Sequence, residues 1–290
     1  MEEIDDTPVQ STIPLRLQEI PQPPKRLYVK GTLPDCSKYK YLTIVGSRRH
    51  TSYGRDVIDH LISGLRGYPV VILSGLAQGI DTLAHIAALK NNLKTVAMPG
   101  SGLDERVLAP RSNIGLARDI VKAGGALISE YEPNTTAAIW TFPQRNRLMA
   151  GLSDAVLLVE AEEKSGTLIT ARLALDYNRD VMVVPGNIFS ACSFGTNKLL
   201  LDGAHAVTSS LDILRILGIA PVENAEVISK KSYEDCSEEE LAVIKLLTEP
   251  KPRDDIIEEL GLASQELNSL LTLLELKGHI KEELGQIYKT

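Results

Sequence analysis

The sequence predicts a two-part α/β protein, a large domain on a mainly parallel sheet followed by a small helical domain, and three observations carry that expectation. Between residues 41 and 217 short apolar runs alternate with longer amphipathic segments, the pattern of βα units. Most of those runs end in Gly, Ser or Pro, so small residues collect at strand C-terminal ends, where open parallel sheets hold their ligands. Beyond residue 236 the pattern changes to three helical segments and a brief alternation. A length of 290 residues suits one large and one small domain, at roughly 100 to 200 residues each.

Residues 1–40 read as an N-terminal arm. The first 25 lack apolar periodicity and end in Pro21, Pro23 and Pro24, which restrict the backbone to extended forms, and Leu27 to Val29 adds a short strand. Over residues 41–220 the candidate strands are Tyr41–Val45, Val70–Leu73, Leu93–Met98, Ala126–Ile128, Ala155–Val159, Val181–Val184 and Ala206–Thr208. The candidate helices between them are Tyr53–Leu65, Ile80–Lys90, Gly115–Ala123, Leu168–Tyr177, Asn197–Asp202 and Leu211–Leu217. Together they describe an extended, Rossmann-like, mainly parallel sheet. Residues 221–235 are polar and aperiodic, as a linker is. In residues 236–290, helices at Glu238–Leu247, Arg253–Leu260 and Ser264–Leu276 precede a small hairpin around Ile280 to Tyr288, which makes a winged helix. The spacing of Leu267, Leu270, Leu271 and Leu274 fits its core better than an exposed zipper.

Bulk properties narrow the function. With 43% hydrophobic residues global disorder is excluded, and no stretch reaches the ~20 apolar residues of a membrane helix. The acidic start, Met1 to Asp6, is unlike a signal peptide, so a cytoplasmic location and no membrane partner are expected. Cys36, Cys192 and Cys236 form no CxxC pair, and His50, His60, His85, His205 and His279 form no close-spaced cluster. Neither a metal nor a cofactor is expected, although sites assembled from distant segments stay open. The net charge of −7 argues against a nucleic-acid binder, but its distribution softens the objection. Residues 236–290 hold 12 acidic and 6 basic side chains, whereas residues 1–235 are nearly balanced at 26 and 25, so the larger part has room for a local positive face.

Six constellations carry the chemistry. Gly46, Ser47, Arg48 and Arg49 follow a strand and offer a close turn, a hydroxyl and a guanidinium fork for phosphate; the same run also fits an ordinary sheet-edge turn. Ser74 to Asp81, with Gly75 and Gly79, leads from strand to helix with amides suited to an anion, Asp81 serving most simply as a cap. Pro99 to Asp104, with Pro110 and Asn113 nearby, has glycines and polar groups for a ribose or phosphate, or for a plain connection. Phe142 to Ser153 concentrates an aromatic ring with Arg145, Asn146 and Arg147, a stacking surface beside phosphate and base-edge donors; alternatively Phe142 and Leu148 are core and one arginine caps a helix. Ser165, Gly166 and Thr167, and then Ser193 to Lys198 with Asn197, place small donors and a lysine at helix N-termini, where phosphate binding competes with ordinary capping. This many anion-suited turns exceeds what one mononucleotide requires.

Taken in order, these motifs, with Glu160 to Thr170, Val184-Pro185-Gly186 and Gly195 to Ala204, resemble the DNA-processing protein A family, also called Smf, over about Gln22 to Leu217. The resemblance implies an extended Rossmann-like fold that dimerises, binds single-stranded DNA in a positive pocket without catalysis, protects it during natural transformation and helps load the RecA recombinase. It implies phosphate contacts from Arg48, from the turn Arg145 to Arg147 and from Lys198, with Gly46, Ser47, Gly75, Gly79, Asn113, Ser165, Gly166 and Asn197 lining the pocket. Ala109 stands before Pro110 where the family commonly has tyrosine, and the helical N-terminal domain of sterile-alpha-motif type found in many relatives is expected to be absent or reduced. The acidic winged helix is expected to contact protein or organise a dimer.

Two other classes compete. The glycine-rich run Pro99 to Asp104 with Glu105 resembles the loop of nucleoside-monophosphate phosphoribohydrolases, for which Glu105, Glu130 or Glu160 would supply the acid or nucleophile. A transcription regulator would read duplex DNA with the winged helix, yet Ser264 to Leu276 offers Gln265, Asn268 and Ser269 without a lysine or arginine.

Overall fold

The computed structural model describes residues 8–221, 235–247, 249–283 and 285–289, in two compact units divided between residues 225 and 226. Most of the expected linker 221–235 lies outside the described residues.

The first unit begins with β1 (Val9–Gln10), α1 (Leu15–Gln18) and β2 (Tyr28–Gly31). Six further strands follow, β3 (Lys40–Gly46), β4 (Val70–Ser74), β5 (Lys94–Ala97), β6 (Ala126–Ser129), β7 (Ala155–Val159) and β8 (Asp180–Val183), and the sheet closes with β9 (His205–Ala206). The helices between them are α2 (Ser52–Ser63), α3 (Ile80–Lys90), α4 (Ile114–Lys122), α5 (Thr141–Leu152), α6 (Thr167–Asp176) and α7 (Phe194–Leu201), with α8 (Ser210–Ile216) after β9. The nine strands run in the order β1-β2-β6-β5-β4-β3-β7-β8-β9. From β6 to β9 every pairing is parallel; at one edge β2 pairs antiparallel with β6 and β1 pairs antiparallel with β2. The fold is therefore the mainly parallel Rossmann-like sheet that the alternation implied.

Strand order reverses between β3 and β7: β4, β5 and β6 extend to one side of β3, and β7, β8 and β9 to the other. At this seam Leu42 lies opposite Ile72 of β4 and Ala155 of β7. A reversal of this kind opens a crevice at the strand C-terminal ends.

Period-2 alternation supplies two buried faces. Tyr41, Val45, Val71, Leu73, Val156 and Leu158 pack with α5, α6 and α1. Leu42, Ile44, Ile72, Leu157 and Val159 pack with α2, α3 and α8.

Two expectations needed correction. The arm docks on the domain: Leu17, Ile20 and Leu27 are buried, and a Cβ at Gly151 would meet Ile20 Cγ2 at 2.7 Å, so α1 approaches α5 where only glycine fits. Arg16 Nη2 donates to Asp154 Oδ1 at 2.8 Å and fixes the arm. The segment from Thr141 is a helix, α5. Its buried stripe is Thr141, Arg145, Leu148, Met149 and Leu152, helical in spacing but with an arginine where an apolar residue would mark the period.

In the second unit α9 (Glu238–Leu246), α10 (Arg253–Leu260) and α11 (Ser264–Leu276) carry a three-stranded sheet of β10 (Lys251–Pro252), β11 (Ile280–Glu283) and β12 (Gln286–Lys289), ordered β10-β12-β11. Leu267, Leu270, Leu271 and Leu274 form its core with Val243, Ile256 and Ile287, as their spacing implied. Among the described residues no helix is long and apolar enough to cross a membrane.

Candidate nucleic-acid interface

At the strand reversal the ends of β3 and β4, the start of α6 and one side of α5 enclose a cavity of about 230 Å³, lined among others by Gly46, Arg48, Asp81, Phe142, Arg145, Asn146, Ser165, Gly166 and Thr167. Glycines make this convergence sterically feasible. A Cβ on Gly46 would collide with the Val159 carbonyl and stand 2.6 Å from Ile80 Cγ1. Gly79, at φ +81°, is pressed against the backbone of Ser47 and Arg48, where Ile80 N–H donates to Ser47 O at 3.1 Å.

The floor holds a buried arginine, Arg145, near a buried aspartate, Asp81. Arg145 donates through Nη1 to the carbonyls of Gly75 (2.6 Å) and Met98, and a Cβ on Gly75 would occupy the guanidinium's place. Burial pushes the Arg145 pKa down, while neighbouring Asp81 opposes the shift. Burial likewise pushes the Asp81 carboxyl up, against the pull of Arg145 and of N–H bonds from Ala77 (3.4 Å) and Gly75 (3.1 Å). Asp81 thus caps the turn after β4, the role its position suggested. His85 is bonded elsewhere, through Nδ1 to Thr95 Oγ1 at 2.7 Å.

The rim is open. Arg48 is exposed, has no carboxylate within ion-pair distance among the described residues, and holds its guanidinium carbon 5.5 Å from the Phe142 ring centroid, a cation–π contact. Phe142 packs on Gly100, whose Cβ would stand 2.6 Å from the ring. On the far side of this Arg48–Phe142 wall lies a second cavity of about 180 Å³, reached by Gly75, Ala77, Gln78, Ala109 and Pro110. At the opposite rim Gly166 has open space at its Cβ position, Ser165 Oγ accepts from Thr167 N–H at 3.2 Å, and Thr167 Oγ1 donates to Gly46 O at 3.2 Å. The N-terminus of α6 therefore opens on the cavity with its amide dipoles.

The structure brings Gly46, Arg48, Phe142, Arg145, Asn146, Ser165 and Gly166 together around the first cavity, and Gly75 joins at the second. The other expected residues line neither cavity. Ser47 Oγ donates to Arg49 O at 2.9 Å and shapes the turn after β3. Asn113 is buried and gives Nδ2 to Leu76 O (2.9 Å) and Thr82 Oγ1 (2.8 Å), bracing the turn after β4. Asn197 clasps the backbone of Gly186 at both its N–H (3.1 Å) and its carbonyl (3.0 Å). Lys198 is exposed on α7 and lines neither cavity. Arg147 is turned away from both, paired with Glu130 and donating to Gln22 O at 2.6 Å. Thr167, named with Ser165 and Gly166 as a small donor, and Gln78, inside the Ser74–Asp81 turn, also line the cavities.

The carboxylates an N-glycosidic hydrolase would need are committed to neighbours. Glu105 is gripped at both oxygens by Arg118 (2.9 and 2.7 Å), and Glu130 pairs with Arg147. Glu160 accepts from Thr51 N–H at 3.0 Å and from its hydroxyl, at the start of α2 where Gly54 leaves room for it. None of the three lines either cavity.

The family model described as DNA recombination-mediator protein A matches residues 7–218. The chain belongs to that family. A second model, the DprA winged helix domain, matches residues 229–286. The DNA processing protein DprA of Bacillus subtilis is 39% identical over 224 residues, covering 77% of this chain and 74% of that one. Its namesake in Streptococcus pneumoniae is 42% identical over 201 residues, covering 69% and 70%. The crystal structure of the pneumococcal protein matches at 40% identity and a TM-score of 0.65 over 70% of each chain. DNA processing protein A from Helicobacter pylori, described for its single-stranded DNA binding mode, matches at 31% identity and a TM-score of 0.65 over 73% of this chain and 94% of that one.

Proposed function

We propose that this chain binds single-stranded DNA at the two adjoining cavities, protects incoming strands during natural transformation and, as a homodimer, helps load the RecA recombinase. The observation that carries the reading is the wall between the cavities. An arginine with no carboxylate partner among the described residues lies against an aromatic ring, and both reach both cavities, so phosphate and base contacts can repeat along a strand. The Helicobacter pylori relative, described for its single-stranded DNA binding mode, supports the same ligand. A dimer would put two such sites on one strand and raise the effective concentration at the second.

The test is a salt series comparing single-stranded, blunt duplex and mononucleotide ligands. Preference for the single strand, little dependence on base sequence and a steep salt slope are expected; equal affinity for duplex at matched salt defeats the proposal. Sedimentation at tens of micromolar tests the dimer. Recombinase nucleation on a strand already coated with a single-strand-binding protein tests loading.

A further inference from the structure

In the second unit the fold gathers three side chains whose spacing gave no hint of a site. Asp235 Oδ1 lies 3.1 Å from His279 Nε2 and 3.8 Å from Cys236 Sγ, and the three donor atoms all fall within 4.8 Å of one another. Asp235 and Cys236 precede α9, whereas His279 sits in the turn between α11 and β11. We propose that Asp235, Cys236 and His279 form a three-ligand site for a divalent transition cation of zinc type, clipping the entry of the winged helix to the start of its hairpin.

Chemistry and geometry support the same ion class. One thiolate, one imidazole and one carboxylate suit zinc or cobalt; calcium and magnesium prefer all-oxygen shells. Tetrahedral zinc with bonds of ~2.0 Å to oxygen and nitrogen and ~2.3 Å to sulfur sets its ligands about 3.3 Å (O to N) and about 3.5 Å (O to S) apart. The observed 3.1 and 3.8 Å lie close to those edges, and the third pair, His279 Nε2 and Cys236 Sγ, lies within 4.8 Å.

The surroundings are compatible. Lys277 Nζ is held by both oxygens of Glu240, at 2.9 and 2.8 Å, which offsets its charge, and it donates to the Asp235 carbonyl at 2.5 Å, which positions that ligand. Binding deprotonates the Cys236 thiol: the sulfur–proton bond is replaced by a sulfur–metal bond, one proton passes to buffer, and no oxidation state changes. Three protein ligands leave a fourth position for water or a donor from a partner. The expectation of no metal rested on close sequence spacing and left open sites assembled from distant segments, which is the kind proposed here.

The experiment uses the full chain, stripped with a chelator, and cobalt(II) as the probe, with zinc as competitor. Expected are one cobalt per chain, a thiolate-to-cobalt charge-transfer band, intense visible bands of tetrahedral geometry, and displacement by zinc. Cys236→Ser should abolish the charge-transfer band and weaken binding by more than about tenfold, the loss that disturbing even an outer partner can produce. Joint Cys36→Ser and Cys192→Ser should leave the band in place. Cys236 is only partly buried, so its serine variant is expected to fold, with circular dichroism as the check. A spectrum of the hydrated ion alone, a band that survives Cys236→Ser, or one lost only with Cys36 and Cys192 overturns the proposal.

Discussion

Replacing Arg48 by alanine separates a ligand-binding role from a structural one. The guanidinium is exposed and lies against the Phe142 ring, and no carboxylate lies within ion-pair distance among the described residues. An exposed cation–π contact contributes about 0.5 to 1 kcal/mol, which in a domain of this size lowers the melting temperature by no more than about 4 °C. A charge-assisted hydrogen bond to phosphate contributes about 1.5 to 3 kcal/mol, so single-strand affinity should fall by about ten- to a hundredfold, whatever the base sequence. Removing one phosphate contact should reduce the slope of log affinity against log salt by about 0.7. Arg48→Lys should keep the slope and recover only part of the affinity, because an ammonium lacks the planar fork. Thermal melting and a salt series by fluorescence anisotropy on both variants decide the matter. Wild-type affinity and slope in folded Arg48→Ala protein would remove this residue from the site, and a large melting loss with an unchanged slope would make it structural.

Phe142→Ala should weaken single-strand binding by about 1 to 3 kcal/mol through loss of one stacked base, measured in the same titration. Arg147→Ala should lower the melting temperature while leaving affinity within about twofold, since its partners are Glu130 and the Gln22 carbonyl; an affinity loss in the folded variant would return Arg147 to the interface. Burial alone would raise the Asp154 carboxyl, but hydrogen bonds from Arg16 and from Tyr41 N–H leave it lowered. Its stabilisation is therefore present above the ordinary carboxylate value of ~4 and fades as pH falls through the depressed one. Melting curves of wild type and Arg16→Ala should accordingly converge on acidification, and a gap that persists at the lowest pH contradicts this assignment. Deleting Cys236–Thr290, which carries 12 acidic and 6 basic side chains, should preserve most single-strand affinity in a filter-binding assay.

Much of the sheet was legible because its strands are short apolar runs bounded by breakers: Ala155–Val159 has the expected bounds, and so does helix Ile80–Lys90. Helix α5 was not, because Arg145 stands in its buried stripe and its partners are the carbonyls of Gly75 and Met98, 70 and 47 residues away. Leu17 and Ile20 gave no period because α1 is a single turn. At the site, the strand-end turns could be read, but not which way their side chains face. Asn113 and Asn197 have the composition of ligand donors but spend their amides within the fold, on backbone and, for Asn113, also on the Thr82 hydroxyl, a choice set by long-range packing. The same limit concealed Cys236 and His279, which tertiary folding alone makes neighbours.

Arg145 has a consequence for kinetics. Its Nη1 is occupied by two carbonyls, so toward a strand bound as proposed this guanidinium would act chiefly as a standing potential set into the cavity floor. A potential of that kind, in a crevice walled by low-dielectric core, draws every phosphate equally and is in place before any encounter. It would speed arrival and leave the duration of the complex to the exposed rim, so ionic strength should act on the association rate through Arg145 and on dissociation through Arg48.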